Sequence, residues 1–256
     1  MTGFFDHDGD LSVPRPEARS PWSPDMLHGR HLAGLAARAV EASGPDPAMV
    51  PARLTIDLFR SAPMEPIELH HEVRRDGRRV RVDEITAVVS GREVAATTVV
   101  LLRASEEPAG RVWSRPDWEV PHPDEISIGL PEPSVSLMRI LPVDGRGFGT
   151  YGQKAVWLTD DHTLFDDEPL SPFQRAAMAS DFVSPLGNSG DEGLGYINAD
   201  ITLHMGRLPV GEWIGIEVGS HVAADGVSVT RSDLFDLTGA FGFAEACAVA
   251  NPRMGG

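Results

Sequence analysis

The residues best suited to chemistry form the segment His28-Gly29-Arg30-His31, at the predicted start of a helix. Backbone amides in the first turn of a helix lack acceptors within it, and the helix dipole makes this end positive. Such a helix start can receive a carbonyl oxygen or a phosphate group. We therefore predict that His28, Gly29 and His31 contact a substrate. The alternative is that His28 only caps the helix and that His31 is partly exposed.

Other candidate motifs are weaker. A short stretch is rich in glycine, at Gly145, Gly147, Gly149 and Gly152. No helix follows that stretch to supply the amides of a phosphate loop. His70 and His71 are adjacent in a predicted strand, so their side chains point to opposite faces and cannot share a metal ion. Cys247 lies in an apolar segment and is predicted to be a buried structural thiol. No pattern requires a metal ion or a cofactor.

The composition restricts the possible partners. The 256 residues carry a formal net charge of −16, which argues against a nucleic-acid partner because phosphate binding needs a basic face. An anionic ligand would depend on a local basic or amide-rich patch. Lysine occurs only once, at Lys154. The sequence has no apolar run long enough to span a bilayer and no signal-peptide pattern, so we expect a cytoplasmic protein.

The chain contains an internal repeat. Residues 53–73 and 200–218 share a pattern in which Thr55 corresponds to Thr202 and Arg60 to Arg207. Further correspondences follow at Asp76-Gly77 and Asp225-Gly226, and at Gly91 and Gly239. A repeat of this length implies two copies of one sheet-building unit. Because pockets favour domain interfaces, we expect the functional site where the copies meet.

Each copy is predicted to contain a helix followed by an antiparallel meander. In the first copy, Asp25 is the predicted N-cap of a helix that ends at Gly44, and strands follow at 54–59, 67–74, 79–89 and 93–103. Hairpin turns are predicted at Asp76-Gly77 and Ser90-Gly91. In the second copy, a strand at 153–159 precedes a helix that starts at Ser171-Pro172 and ends at Phe182. A flexible loop at 187–195 and a second meander complete this copy.

This arrangement resembles the double hotdog proteins of the acyl-CoA thioesterase II type. The resemblance is carried by RSPWSPDMLHGRHLAGLAARAVE (19–41), RLTIDLFRSAP (53–63), RRDGRRVRV (74–82), PLSPFQRAAMASDF (169–182) and YINADITLHMGRLPVGEWI (196–214). It implies an α+β fold in which two antiparallel sheets, each wrapped around a long helix, join into one continuous curved sheet. It also implies that acyl-CoA lies in the crevice between the two units.

The domain boundaries follow from the same resemblance and from composition. We predict an N-terminal hotdog unit over 1–105 and a C-terminal hotdog unit over 151–256. Residues 106–150 are predicted to form a proline-rich linker that crosses the surface and packs Trp113 and Trp118.

The resemblance further implies which residues are catalytic. Thioesterase II enzymes use an Asp in the second helix, a Thr on the next strand and a Gln on the last strand. Asp181 matches the Asp, Asn198 occupies the Thr position, and Ala246 or Cys247 occupies the Gln position. Asp181 and Asn198 are therefore the predicted catalytic pair, with Asp200 as an alternate acid on the same face. The alternative interpretation of Asp181 is a carboxylate that caps a helix end or a loop.

The helix start of the first half departs from the family in one position. The family carries a glycine-rich segment that Gly29 and His31 match, whereas Arg30 replaces a second glycine. We expect the Arg30 side chain to narrow the approach to the helix amides.

Two functions stay open after this comparison. The first is hydrolysis of acyl-CoA thioesters to free CoA and a carboxylic acid, for which acyl-CoA is the partner and a homo-oligomer is possible. The second is a non-catalytic acyl-CoA or fatty-acyl binding protein, because the glutamine is missing. A hotdog hydratase would need a D-x-N-x-x-H string, which the sequence lacks.

Overall fold

One large curved sheet makes up most of the protein. The computed structural model describes residues 2–114, 116, 118–126, 138–166 and 168–251. In the first half the elements are β1 (Gly3–Asp8), β2 (Leu11–Pro14), β3 (Arg19–Ser20), β4 (Ser23–Leu27), α1 (Gly29–Ala42), β5 (Met49–Leu58), β6 (Ile67–Asp76), β7 (Val80–Val89) and β8 (Arg92–Arg103). In the second half they are β9 (Met138–Pro142), β10 (Ala155–Asp160), β11 (Thr163–Phe165), α2 (Pro172–Ser180), α3 (Val183–Asn188), β12 (Ser189–Gly190), β13 (Gly193–Leu194), β14 (Tyr196–Asn198), β15 (Asp200–Met205), β16 (Ile214–Ala224), β17 (Val227–Asp236) and β18 (Gly239–Ala250).

The strand order mirrors the sequence repeat. It runs β11-β1-β2-β6-β7-β8-β5 and continues β15-β18-β17-β16-β10-β9, with β14 paired beside β18. The central strands β5 and β15 are antiparallel, and Thr55 lies directly opposite Thr202. Their hydroxyl oxygens are 3.2 Å apart. The repeated threonines therefore lie on the pseudo-twofold axis between the halves, and the predicted continuous curved sheet is confirmed.

Helix α1 begins later than the sequence suggested. It packs against β6, β7 and β8 and buries apolar side chains that include Leu32, Leu35 and Val40. The prediction that Asp25 is its N-cap is wrong, because residues up to Leu27 are held extended by β3 and by the Ala62 carbonyl. The N-cap is His28, whose Nδ1 accepts from the Arg30 N–H at 3.4 Å.

The second helical segment is broken at Asp181. Helix α2 has the predicted N-cap, since Ser171 Oγ accepts from the Gln174 N–H at 3.1 Å. It ends at Ser180, whereas the predicted helix continued to Phe182. A proline clashes with the carbonyl four residues earlier, so Pro185 prevents an unbroken helix through Asp181. The end of helix α3 and the short β12–β13 hairpin occupy the range 187–195 that was predicted as a flexible loop.

The two halves share one hydrophobic core. Helices α1 and α2 pack so closely that a Cβ on Gly34 would lie 2.7 Å from Met178 Cγ. At the other end of α1, Glu41 accepts hydrogen bonds from Ser171 Oγ and Gln174 Nε2, both at 2.7 Å. These contacts fix the start of α2 against α1.

The range predicted as a linker contains a sheet strand. Strand β9 lies inside the range 106–150 and pairs with β10, which follows that range. Residues 127–137 lie outside the described residues. Trp118 packs on Phe235 and Trp157, with ring centroids 4.5 and 4.9 Å apart, as predicted. Trp113 does not pack, because it is 84 % exposed. The boundaries 1–105, 106–150 and 151–256 stay predictions.

No helix in the described part of the chain combines the length and apolar character that crossing a membrane requires.

Candidate active site

The break between α2 and α3 places the Asp181 carboxyl between the two halves. Asp181 is 7 % exposed. Asn198 Nδ2 donates to its Oδ1 at 3.3 Å, and His28 Nδ1 lies 3.4 Å from its Oδ2. These three predicted site residues come from a helix end, from β14 and from the residue before α1. The fold thus gathers one polar cluster from three distant segments of the chain.

Burial controls the ionisation of this cluster. It raises the pKa of Asp181 to about 6, against the opposing effects of the Arg30 charge, the Asn198 amide and the Arg30 backbone N–H. Burial also lowers the pKa of His28 to about 3, and the Arg30 charge adds to this effect. At neutral pH the Asp181 carboxyl is therefore mostly ionised, with a pKa close to the pH of the solution. The His28 imidazole is neutral. A carboxylate in this state is suited to general base catalysis.

Arg30 does not narrow the approach to the helix amides. Its side chain is buried and turns inward, where it forms an ion pair with Asp160. The space beside Asp181 is instead bounded by Gly29, on which a Cβ would lie 3.7 Å from Asp181 Oδ1. The Arg30 and His31 amides are already used by His28, whereas the Gly29 amide, the first of the helix, has no acceptor within it and can serve as a donor here. The expectation that Arg30 crowds the site is wrong.

His31 is separated from this cluster. It is 1 % exposed, and its ring lies against Phe4 with the centroids 4.2 Å apart. It lines neither of the cavities at Asp181. The structure gives no support to a substrate contact by His31, and the alternative of a partly exposed side chain is wrong.

A β-bulge separates Asp200 from Asn198. From the pair Asn198–Ala248 to the pair Thr202–Glu245, the chain advances four residues on one side and three on β18. This extra residue reverses the alternation of faces. Asp200 therefore points to the face opposite Asn198, where it accepts from the Cys247 N–H at 2.6 Å. The prediction that Asp200 shares a face with Asn198 is wrong.

No side chain on β18 replaces the missing glutamine. Ala246 is buried on the core side, while Cys247 is exposed on the other face, so the predicted buried thiol is wrong. The residue opposite Asn198 is Ala248. None of these side chains can donate or accept as an amide does.

Two cavities meet at the polar cluster. One, of about 300 Å³, is mostly apolar and is lined by residues such as Met138, Ile140, Phe148 and Phe182. The other, of about 350 Å³, lies on the α1 side and includes Gly29, Leu58 and Arg60. Both are bounded by Trp22, His28, Asp181, Ile197 and Asn198. A bound molecule that spans both cavities must pass the Asp181 carboxyl.

The histidine pair of β6 lies elsewhere. His71 Nε2 contacts Asp83 Oδ1 at 2.6 Å, and His70 is half exposed beside Glu68. In the part of the chain that the structure describes, no three His, Cys, Asp or Glu side chains are grouped so that they could hold a metal ion.

Comparison with known proteins connects this site to a family. Residues 18–102 match the family model described as acyl-CoA thioesterase N-terminal domain, and residues 131–242 match the C-terminal domain model. No curated protein is matched. Among solved structures, a tesB protein from Mycobacterium avium subs paratuberculosis is similar, with a TM-score of 0.71 and 15 % identity over 97 % of this chain and 96 % of that chain.

Two further solved structures share the fold. An acyl-CoA thioesterase II, TesB2, from Mycobacterium marinum has a TM-score of 0.62 and 20 % identity over 87 % of this chain and 90 % of that chain. A hot dog fold protein from Alicyclobacillus acidocaldarius has a TM-score of 0.73 and 16 % identity over 96 % of this chain and 95 % of that chain. At these identities the likeness shows the fold.

Proposed function

Because the chain belongs to the acyl-CoA thioesterase family, we propose that it hydrolyses acyl-CoA thioesters to free CoA and a carboxylic acid with Asp181 as the general base. The observation that carries this proposal is the buried Asp181 carboxyl, with a pKa of about 6, at the junction of two cavities. A base of this strength is ionised at neutral pH and can still accept a proton from water.

In the proposed reaction, Asp181 removes a proton from a water molecule as the water oxygen attacks the thioester carbonyl carbon. The carbonyl oxygen gains negative charge in this step. It would be stabilised by the Gly29 amide at the start of α1 and by the positive end of the helix dipole. Collapse of the tetrahedral intermediate breaks the carbon–sulfur bond. The proton held by Asp181 then passes to the departing CoA thiolate.

Asn198 and His28 set the ionisation of Asp181 in different ways. The Asn198 amide donates to Oδ1 and so favours the ionised form. His28 Nδ1 accepts the Arg30 N–H and therefore carries no proton of its own. This nitrogen lies 3.4 Å from Asp181 Oδ2, so the carboxylate has a neutral ring and no ammonium-like partner on that side. The hydrogen bond from Asn198 therefore supports the ionised carboxyl, while the neutral His28 leaves its pKa high.

The two cavities suggest how the substrate lies. The mostly apolar cavity, with walls such as Ile140 and Phe148, suits the acyl chain. The cavity beside α1, which contains Gly29 and Arg60, suits the more polar pantetheine arm. With the thioester between them, the carbonyl group lies beside Asp181. Acyl-CoA is the partner in this proposal, while a cytoplasmic location and a homo-oligomer stay predictions.

The proposal is tested by the release of free CoA thiol from short, medium and long acyl-CoAs. We expect turnover by the wild type and its loss in Asp181→Ala, with the fold checked by circular dichroism. Asp200→Ala serves as the control, because this carboxylate points to the opposite face of the sheet. Full turnover by Asp181→Ala would overturn the assignment of the base.

The second candidate function is acyl-CoA or fatty-acyl binding without turnover. It is favoured by the missing amide on β18, where Ala246, Cys247 and Ala248 stand. The same experiment separates the two functions. Saturable acyl-CoA binding without any thiol release would identify a binding protein.

A further inference from the structure

A third cavity lies next to the apolar one and has no part in the proposed hydrolysis. It has a volume of about 610 Å³ and shares Tyr196 with the apolar cavity. Its walls come from the segment before β10, from the end of α3 with the β12–β13 hairpin, and from β16. It is lined by several polar groups, among them Lys154, Asn188 and His221. A ligand in the apolar cavity therefore has a polar neighbour on the far side of Tyr196.

Lys154, the single lysine of the chain, is the cation that lines this cavity. The residue is 5 % exposed, and burial lowers the pKa of its ammonium. Within the described residues, the hydrogen bond of Nζ is a long contact of 3.5 Å to the Gly152 carbonyl oxygen. An ammonium has three donors, and burying one without an anionic partner is costly. This lysine is therefore poised to accept an anion from outside.

The surroundings of Lys154 leave room for such an anion. Asn188 Oδ1 accepts from Ser228 Oγ at 2.7 Å and lies 3.1 Å from His221 Nε2. His221 therefore has its Nε2 proton directed to Asn188. Its pKa is lowered by burial and by the charge of Lys154, which places the two side chains near each other. The His221 imidazole is thus uncharged at neutral pH. The positive charge on the cavity wall is that of the Lys154 ammonium.

The cavity also has acidic residues, but they lie at its rim. Asp191 and Glu192 line it from the turn of the β12–β13 hairpin, where both are exposed. Exposed charges are screened by water and salt, whereas a buried charge acts in a medium of lower dielectric constant. A group that reaches Lys154 therefore experiences its attraction more strongly than the repulsion of the rim.

We propose that Lys154 binds an oxyanion carried by the ligand that occupies the neighbouring apolar cavity. In a protein with a net charge of −16, an anionic group needs such a local cation to bind. Two parts of an acyl-CoA could supply the oxyanion: a carboxylate at the far end of a dicarboxylic acyl chain, in the substrate orientation proposed above, or a phosphate of the CoA moiety, in the reverse orientation. The identification of the carrier as acyl-CoA rests on the proposed function, whereas the anion site does not.

The two sources are separated by kinetics on three thioesters. These are hexanoyl-CoA, adipoyl-CoA with a terminal carboxylate, and the hexanoyl thioester of pantetheine, which lacks phosphates. If the site takes the acyl carboxylate, Lys154→Met lowers kcat/KM at least tenfold for adipoyl-CoA only. If it takes a phosphate, the loss affects both CoA thioesters and spares the pantetheine thioester. An equal change for all three, or no change for any, would overturn the proposal.

Control variants guard against a structural cause. Arg92→Met removes one positive charge from the exposed start of β8, far from the cavity in sequence, and is expected to change none of the three rates. Lys154→Arg keeps the charge and is expected to retain most of the discrimination. Because Lys154→Met removes a buried charge, its thermal stability should equal or exceed that of the wild type. A large loss of stability would contradict the unpartnered state of the ammonium.

Binding measured without turnover keeps this inference independent of hydrolysis. Calorimetric titration with adipate and with free CoA should show saturable binding of at least one of them to the wild type. The Lys154→Met variant should bind that ligand at least tenfold more weakly. A wild type that binds but hydrolyses nothing would remove the proposed function and leave the anion site standing. Binding of neither ligand by the wild type would remove the anion site.

Discussion

At the scale of single residues, the reactivity of Asp181 comes at the expense of stability. The carboxyl has a pKa of about 6 in the folded chain and an ordinary value of 3.8. A raised pKa means that the folded state holds the proton more tightly than the unfolded state does. The contribution of Asp181 to stability is therefore greatest below about pH 4, and it is lost as the pH rises through about 6. The difference corresponds to about 3 kcal/mol at high pH.

Asp181→Asn removes the charge and with it this cost. We expect the variant to be more stable than the wild type at pH 8 by up to about 3 kcal/mol, and the gain to vanish near pH 4. Urea unfolding at the two pH values measures this. Asp57→Asn, at an exposed position of β5, is the control and should show neither effect. A variant that is less stable than the wild type at pH 8 would contradict a costly buried charge.

Asn198 is expected to act through the pKa of Asp181. Its amide hydrogen bond favours the ionised carboxyl, so Asn198→Ala should raise the pH at which activity reaches half its maximum. Loss of a hydrogen bond to a charged group costs about 1.5–3 kcal/mol, which corresponds to a roughly 10- to 100-fold lower kcat/KM at neutral pH. Steady-state kinetics across the pH range checks both effects. A lower rate with an unmoved pH midpoint would show that Asn198 only contacts the substrate.

Several residues of the candidate site were predicted from the sequence. Asp181 and Asn198 were identified from segments that resemble the thioesterase family, and His28 and Gly29 from the unpaired amides expected at a helix start. Asp200 was misplaced because a single-residue bulge reverses the faces of a strand, and no residue type marks that bulge. The inward turn of Arg30 depends on Asp160, which lies 130 positions away in sequence. Such a partner can be seen only once the chain is folded.

At the scale of elements, the site depends on the contact between α1 and α2. Gly34 allows this contact, because a Cβ there would lie 2.7 Å from Met178 Cγ and 3.2 Å from Leu164 Cδ2. Helix α1 begins with the Gly29 amide, and α2 ends beside Asp181. A change in the spacing of these helices would therefore alter the distance between the proposed oxyanion donors and the base.

Gly34→Ala tests this close packing. Overpacking costs about 1–3 kcal/mol, while alanine gains up to about 1 kcal/mol in helix propensity, so we expect net destabilisation. In a Met178→Ala background only the 3.2 Å approach to Leu164 Cδ2 remains, and the same substitution should cost clearly less. A double-mutant cycle by urea unfolding measures the coupling. An equal effect in both backgrounds would show that the two helices are not in tight contact there.

Long elements were predicted better than short ones. Strands such as β7, β15 and β17 follow clear alternation, and the hairpin at Ser90-Gly91 has the positive φ angles of 50° and 71° that this residue pair favours. The short elements β3, β4 and α3 were missed. The backbone conformation of these elements is determined by contacts with distant segments, such as the hydrogen bond from Leu27 N–H to the Ala62 carbonyl. Local pattern carries little information about such elements.

At the scale of the whole molecule, the two repeats form one structure. Strands β5 and β15 join the sheets, and Leu54 lies opposite Leu203 with both side chains buried. The repeat and the family resemblance were sufficient to predict this continuous sheet. The cavities could not be predicted in the same way, because their walls combine side chains from β9, α3 and the loop around Trp22.

Leu203→Ala should therefore destabilise the entire chain. We expect a loss of about 2–5 kcal/mol, as is usual for a buried leucine. Far-UV circular dichroism and tryptophan fluorescence should report one common transition, because a core shared by both halves unfolds cooperatively. Leu102→Ala, at a half-exposed position of β8, is the control and should cost little. Two separate transitions would indicate halves that fold independently.

The most direct test of the central proposal is the pH dependence of kcat/KM for wild-type acyl-CoA hydrolysis. If Asp181 is the base, kcat/KM should rise tenfold per pH unit on the acid side and level off above a midpoint near about 6. His28, with a pKa of about 3, should add no second step between about pH 5 and 8. A profile that is flat across this range would contradict the assignment of Asp181 as the general base.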